Sequence, residues 1–208
     1  MLCNLCNCAT RIFEVIQDRE YVQCMGCKAI LLSPEHHLSP QAEKSRYILH
    51  NNDVNDAGYI RFVQPVIEKI RSDFSSNSNG LDFGCGTGPV ITSKLKKSSF
   101  KIELYDPYFK PDKKVLKTTF DFIICCEVME HFQNPLKEFQ LLRTLLKPNG
   151  KLYCKTEIWK DAIDFSNWHY KNDKTHVIFY DRETLRWIKE NLNFSSLEIC
   201  KEFVIFSV

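Results

Sequence analysis

The sequence predicts an α/β fold, a mostly parallel sheet with an antiparallel C-terminal finish, and a small cysteine-rich module in front of it. Three observations predict it. Two Cys-x-x-Cys pairs, Cys3/Cys6 and Cys24/Cys27, open the chain. Some fifty residues further on, the run Leu81-Asp82-Phe83-Gly84-Cys85-Gly86-Thr87-Gly88 turns sharply out of a strand-like segment. From there strand-like and helix-like segments alternate, the order that builds a parallel sheet covered by helices on both faces.

The elements follow in order. Residues 1–33 read as two knuckles joined by the alternating stretch Ile12-Phe13-Glu14-Val15-Ile16, with Tyr21-Val22 leading into the second pair, a ribbon outline. Residues 34–79 are expected to be a helical linker or lid. Pro34 and Pro40 bracket a loop, Gln41 to His50 is one helix, and Tyr59 to Phe74 is a second with Ile60, Val63, Ile67 and Ile70 as its apolar stripe. The polar run Ser75 to Gly80 breaks the pattern and announces the main domain, residues 80–208. There the expectation is a strand at Leu81–Phe83, a helix over Val90–Lys97, strands at Lys101–Tyr105 and Asp121–Cys126, and a helix over Pro135–Leu146. Lys147-Pro148-Asn149-Gly150 reads as a stop and turn before a strand at Lys151–Lys155. A helix capped by Asp181 and two apolar strands, around Ser196–Cys200 and Phe203–Val208, complete the chain.

Bulk properties narrow the function. At 208 residues the chain has room for one α/β core and a small appendage. Its 28 Lys and Arg against 26 Asp and Glu give no single-sign field, so composition does not support a nucleic-acid partner. No apolar stretch approaches the ~20 residues of a membrane span. Met1-Leu2-Cys3-Asn4 lacks a basic start followed by an apolar run, so no signal peptide is expected, the ten cysteines are expected to be reduced thiols, and a cytoplasmic location follows.

Four sulfurs in two paired turns suit zinc, which takes a tetrahedral set. Residues 7–23 separate the pairs, the spacing of such a site. Cys3, Cys6, Cys24 and Cys27 are therefore the candidate ligands, Cys8 is a surplus thiol that competes with Cys6 but lacks its spacing, and Gly26, with a similar part for Asn4 to Asn7 in the first knuckle, is placed where a knuckle often needs a positive φ. An all-sulfur set leaves no open position, so the zinc is expected to be structural. The alternative is a set of ordinary free thiols. A ribbon of this kind docks on the core, on the substrate or on a protein partner.

Asp82, Gly84, Gly86 and Gly88 form a turn whose backbone can approach a ligand closely, with Pro89 suited to the first helical position. The dinucleotide fingerprint fails, because its third glycine falls on Pro89 or Ile91, and no Gly-Lys-Ser/Thr of a P-loop follows. Asp106, about 20 residues on, suits ribose hydroxyls. The plainer reading is a tight turn and a capping acid.

Three stretches carry a resemblance. Leu-Asp-Phe-Gly-Cys-Gly-Thr-Gly at 81–88, Phe-Asp-Phe-Ile-Ile-Cys-Cys-Glu-Val-Met-Glu-His at 120–131 and Leu-Lys-Pro-Asn-Gly-Lys-Leu at 146–152 resemble the class I S-adenosylmethionine-dependent methyltransferases. The resemblance covers residues ~80 to 208 in order. It implies a Rossmann-like sheet of seven strands with an antiparallel last hairpin and S-adenosylmethionine as cofactor. It also implies a loop of Asp82, Gly84, Gly86 and Gly88 at the methionine end, Asp106 on ribose, and Glu127 with Val128 beside the sulfonium. The sequence departs from the family at 107–120, which is short for a helix, a strand and the adenine-contacting turn; Asp112 lies there unaligned, and the edge strand is expected to be shortened.

Methyl transfer is an in-line displacement that asks the protein chiefly for alignment, plus a base when the acceptor carries a proton. Candidates for contact with the acceptor, which the sequence leaves unidentified between a small molecule and a protein, are His176, Glu130, His131 and Asp173, with His169 in reserve. Trp168 to His176 lies beyond a strand's carboxyl end, where open α/β sheets place ligands. Packing roles for His131 and His176 stand beside the catalytic ones. The cluster Arg46-Tyr47 with His50-Asn51-Asn52 reads either as a lid or as a helix end. A non-catalytic binding module on the same scaffold is the competing functional class.

Overall fold

The computed structural model describes residues 1–49 and 53–208. Two sheets organise it. The smaller begins with β1 (Thr10–Ile16), β2 (Arg19–Cys24) and β3 (Ile30–Leu32), antiparallel in sequence order, with a bulge in β1 between Ile12 and Glu14. The bulge sits at Phe13, whose ring meets Trp159 at 5.7 Å and Phe165 at 5.3 Å, while Ile12 and Val15 stay exposed. Two helices follow, α1 (Pro40–Ile48), capped by Ser39, and α2 (Ala57–Asp73), capped by Asp56. The first helix ends two residues short of His50, and the His50-Asn51-Asn52 part of the expected lid lies outside the described residues.

The larger sheet is built from β4 (Asn79–Phe83), β5 (Lys101–Tyr105), β6 (Phe120–Cys126), β7 (Leu146–Lys155), β9 (Ser196–Ile199) and β10 (Val204–Ser207), in the order β5-β4-β6-β7-β10-β9. The pairs β4–β5, β4–β6 and β6–β7 are parallel; β10 runs antiparallel to both β7 and β9. Six strands stand where the resemblance implies seven. The 107–120 segment supplies only an isolated bridge between Asp106 and Lys110 and a short 3-10 turn at Val115–Lys117, so among the described residues β5 is one edge of the sheet and β9 the other. Lys147–Gly150 is not a turn outside the sheet but a bulge within β7: partners jump from Phe120↔Leu146 to Phe122↔Lys151, with Asn149 at φ 62°.

Helices α3 (Val90–Lys96), α4 (Pro135–Thr144) and α5 (Arg182–Asn191) complete the layers. Pro89 stands at the N-cap of α3 rather than its first turn. The stripe Val63, Val66, Ile67 and Ile70 of α2 packs with α3 and with Phe122 and Ile124 of β6 in one apolar layer. Asp73, at the end of α2, accepts bonds from Lys69, Lys151 and Tyr153, whose combined pull holds it down to about 2 despite burial. The opposite layer joins α4 and α5 to Leu81, Ile123, Cys125 and the ribbon strands in one core.

One strand went unread in the sequence. β8 (Ile178–Phe179) leaves the main sheet's territory and pairs antiparallel with β3, Leu31 against Ile178 and Ile30 against Phe179, making the ribbon sheet four-stranded. Ribbon and core are thus joined by backbone hydrogen bonds, extended by Leu32 N–H to the Val177 carbonyl at 2.9 Å.

Candidate functional site

A cavity of about 790 Å³ opens at the carboxyl ends of β4, β5 and β6. The glycine turn forms its floor. Gly84 has φ +78° and Gly86 φ +59°, the left-handed region that the turn requires. A Cβ on Gly84 would meet Val128 Cγ2 at 2.5 Å, so backbone and Val128 approach as closely as a glycine permits. The turn is tied to the end of β5: Gly84 N–H donates to the Tyr105 carbonyl at 2.8 Å, and Gly86 N–H donates to Asp106 Oδ2 at 3.0 Å. Asp106 Oδ1 accepts the Tyr108 and Phe109 amides at 2.8 and 3.0 Å. Its carboxylate therefore organises two loops at once while lining the cavity.

Asp82, Gly84, Gly86, Gly88, Asp106, Glu127 and Val128 all line this cavity, together with His131, Asp173 and His176. Asp82 accepts the Thr92 hydroxyl at 2.6 Å, and full burial raises it to about 6. Glu127 sits at φ 53°, held by its amide on the Lys155 carbonyl; burial, then the charge of Glu130, pushes it up to about 9. Glu130 differs from the other candidates. It is fully buried behind the wall, accepting the Tyr170 hydroxyl at 2.5 Å, with its second oxygen unpartnered, and burial raises it to about 7. Tyr170 also reaches Glu127 at 3.3 Å and Thr156 at 3.0 Å, so one phenol links two carboxyl groups that repel each other when charged.

The two histidines are oriented alike. His131 Nδ1 lies 3.0 Å from the Thr175 carbonyl and His176 Nδ1 lies 2.7 Å from the Tyr170 carbonyl. A carbonyl only accepts, so each Nδ1 carries a proton; a neutral ring in that tautomer has its lone pair on Nε2. Burial lowers His131 and favours that neutral form. The rings stand 4.8 Å apart, edge to face. One ligand atom each from Glu130, His131 and His176 lie within 4.8 Å of one another, a set that could also hold a cation. Asp173 accepts Thr175 N–H and hydroxyl, which with Arg46 at 3.4 Å hold its carboxyl well below the usual range. His169 is exposed and lies outside the cavity, against Glu157.

Sequence reasoning missed Glu43. From α1 it lines the cavity, accepting the Tyr47 hydroxyl at 2.6 Å and the Tyr108 hydroxyl at 2.9 Å, so α1 is fastened to the loop after β5. Only the acid and tyrosine four residues apart on one helix hinted at it.

At the other end, the Sγ atoms of Cys3, Cys6, Cys24 and Cys27 lie within 4.8 Å of one another. A tetrahedral ion with Zn–S of ~2.3 Å sets sulfurs about 3.8 Å apart; Cys3 and Cys27 stand at 3.7 Å and Cys6 and Cys24 at 3.2 Å. The Leu5 and Cys27 amides donate to the Cys3 and Cys24 sulfurs, each at 3.4 Å. The bond from the Cys27 thiol lowers Cys3 to about 5. This donor set fits zinc. The left-handed residues are Asn7 and Lys28, one after each pair, at φ 61° and 66°, not Gly26. Gly26 is a glycine for space: a Cβ there would lie 2.6 Å from Cys8 Sγ. Asn4, in the first knuckle, donates to the Gln133 carbonyl at 2.6 Å, so the knuckle touches the cavity's rim.

Comparison with known proteins agrees with this geometry. A family model described as a methyltransferase domain matches residues 56–199. The chain belongs to that methyltransferase family. It is 29% identical over 141 residues to a ubiquinone biosynthesis O-methyltransferase of Rickettsia canadensis, covering 53% of this chain and 59% of that one. A protein of the same name from Colwellia psychrerythraea is 27% identical over 93 residues, 44% of this chain and 37% of that one. The chain thus spans well under two thirds of these relatives. Among solved structures, the Burkholderia thailandensis 1,6-didemethyltoxoflavin-N1-methyltransferase with bound S-adenosylhomocysteine superposes with a TM-score of 0.56 at 11% identity, over 95% of this chain and 97% of that one. An O-methyltransferase family protein of the same species gives 0.54 at 13% identity, over 79% and 61%. At such identities the likeness is one of fold, the Rossmann-like methyltransferase sheet. Among the described residues no helix is long and apolar enough to cross a membrane.

Proposed function

We propose that the chain is an S-adenosylmethionine-dependent methyltransferase acting on a proton-bearing acceptor, a hydroxyl of a small molecule in the first instance, with a structural zinc in its ribbon. The observation that carries the reading is one cavity lined by the glycine turn, Asp106, Glu127 and Val128 on one side and His131, Asp173 and His176 on another. Its volume falls in the range of about 300–1,000 Å³ usual for ligand pockets. When bound, the cofactor supplies an electrophilic methyl group. In this reading Gly84, Gly86 and Gly88 bring backbone close to its methionine end, and Asp106 accepts from ribose hydroxyls. His131 or His176 takes the acceptor's proton, and Asp173 favours the charged ring that results. Glu130 acts at one remove, through Tyr170. A hydroxyl acceptor also accords with the O-methyltransferase names of the relatives.

The ribbon's part is to hold the acceptor side in place. β3 pairs with β8 two residues after His176, and Val177 N–H donates to the Glu130 carbonyl at 2.9 Å, so the metal-held strands brace the segment carrying His176 and, through Val177, the turn carrying Glu130. Ile12, Val15 and Met25 remain exposed on the ribbon as the face a protein partner would meet.

Calorimetric titration with S-adenosylmethionine tests the cofactor half. Wild-type protein is expected to bind and Asp106→Ala to bind at least about tenfold more weakly, since a charged acceptor bond is worth ~1.5–3 kcal/mol. A silent wild-type titration would leave the scaffold reading. Labelled-methyl transfer to fractionated cell extract tests the rest: His176→Ala and His131→Ala are expected between them to lower labelling by about 10²–10⁴, with cofactor binding kept.

A further inference from the structure

The thiol that the tetrahedral set does not need lies against that set. Of the ten cysteines, all among the described residues, only Cys8 is exposed. The first knuckle closes on its backbone: Asn7 N–H donates to the Cys3 carbonyl at 2.8 Å, and Cys3 N–H donates to the Cys8 carbonyl at 2.9 Å. Asn7, the one residue between Cys6 and Cys8, has φ 61°, so the chain curls there instead of running on as a strand. Two positions apart, the Cα atoms of Cys6 and Cys8 are separated by at most roughly 7 Å, and the curl brings them toward the span of about 4.4–6.8 Å that a disulfide bridges.

The second knuckle makes room for both sulfurs. A Cβ on Gly26 would lie 2.6 Å from Cys8 Sγ and 3.6 Å from Cys6 Sγ, so the two side chains converge over one backbone position. Cys6 is the leading influence on the Cys8 thiol, as a hydrogen-bond partner. Among the four candidate ligands, Cys3, Cys24 and Cys27 are buried and Cys6 is half-buried, so Cys6 is the ligand an oxidant reaches first. A metal-held cysteine is a thiolate, the nucleophilic form of sulfur, and it stands here beside a second thiol.

We infer that Cys6 and Cys8 form a reversible oxidation site for a hydroperoxide, Cys6 as the attacked sulfur and Cys8 as the resolving thiol. The Cys6 thiolate leaves the metal and takes one peroxide oxygen as the O–O bond breaks, giving a sulfenic acid and hydroxide. The Cys8 sulfur then displaces the sulfenic hydroxyl, which departs with the Cys8 proton as water, and the S–S bond forms. Two electrons pass from the pair of sulfurs to the peroxide. Three sulfurs remain for the metal, and the brace on β3 is loosened with them. In the absence of Cys8 the sulfenic acid proceeds to the sulfinic acid, which thiol reductants do not reverse. The inference rests on the structural zinc proposed above and goes further in giving Cys8 a chemical task.

The test treats the zinc-loaded full chain, wild type and Cys8→Ser, with hydrogen peroxide, follows zinc release with a chromogenic chelator, and maps the alkylated chain by tryptic mass spectrometry. Trypsin separates residues 1–11, which hold Cys3, Cys6 and Cys8, from residues 20–28, which hold Cys24 and Cys27. Wild type is expected to yield peptide 1–11 lighter by two hydrogens with Cys3 alone alkylated, and to take its zinc back after dithiothreitol. Cys8→Ser is expected to load zinc as wild type does, to form the Cys6 sulfinic acid, and to take back at least about fivefold less zinc. The wild-type peptide decides the matter if the variant does not load. Recovery in Cys8→Ser equal to that of wild type, or a wild-type disulfide that includes Cys3 or joins the two peptides, would overturn the inference while leaving the zinc reading standing. Wild type that carries no zinc would overturn both.

Discussion

Replacing Gly84 with alanine is expected to be among the most damaging single-methyl additions in the chain, and its cost divides into two parts that can be measured separately. The backbone part comes from φ +78°, where an L side chain costs about 1–2 kcal/mol. The packing part comes from Val128, whose Cγ2 and Cγ1 would lie 2.5 and 2.8 Å from the new carbon. Overpacking of this kind costs about 1–3 kcal/mol. Together they predict a loss of about 2–5 kcal/mol, a large fraction of a typical domain's stability of about 5–15 kcal/mol. Val128→Ala removes both Cγ atoms and leaves only Val128 Cβ, 3.2 Å away. In a double-mutant cycle read by urea unfolding, Val128→Ala should therefore restore about 1–3 kcal/mol to the Gly84→Ala protein and leave the backbone part unrecovered. Additive effects of the two changes, or a Gly84→Ala loss below about 0.5 kcal/mol, would refute the claim that turn and Val128 are fitted to each other.

Two further outcomes follow from the buried acids and the ribbon. Glu130 titrates near 7 in the folded chain against an ordinary 4.5, so the folded state holds its proton more tightly. The stability this contributes is full below pH 4.5 and is lost as pH rises through 7, with Glu127 extending the loss toward 9. Urea midpoints measured at pH 5 and pH 8 should fall with pH in wild type and fall less in Glu130→Gln; equal slopes would count against it. Purified protein is expected to carry about one zinc per chain, and chelation should raise amide hydrogen exchange at Ile30–Leu32 and Val177–Phe179 together while S-adenosylhomocysteine still binds. Exchange rising in the ribbon strands alone would disconnect the metal from the segment that carries His176.

Local patterns in the sequence disclosed the parts that depend on local patterns. The glycine turn, Asp106 and the Cys-Glu-Val-Met-Glu-His segment are each set by a few neighbouring residues, and they converge on one cavity as the parallel sheet requires. Asp181 was readable as a cap because it serves residues three positions on. What stayed hidden depends on distant partners. Ile178-Phe179 is a strand only because Ile30-Leu31 lies beside it, and two apolar residues carry no period of their own. Tyr108 meets Glu43 across 65 positions and Tyr170 meets Glu130 across 40, so neither pair leaves a spacing to detect. Gly26 invited a conformational explanation when the reason was the nearness of Cys8. The six-strand count rests on length: residues 107–120 are too few for a helix and a strand as well as two turns.

The pairing of β3 with β8 also bears on how the chain is made. Ile30 to Leu32 leave the ribosome long before Ile178 and Phe179, and at synthesis rates of about 5–20 residues per second the interval is roughly 7–30 s. Throughout it β3 presents an unpaired edge of three buried apolar residues, the kind of edge that recruits other chains. The two knuckles can form around their metal early, but the strand they brace waits for a partner more than a hundred residues downstream. Completion of this wall of the cavity is thus a late event of folding, timed by the emergence of the segment that carries His176.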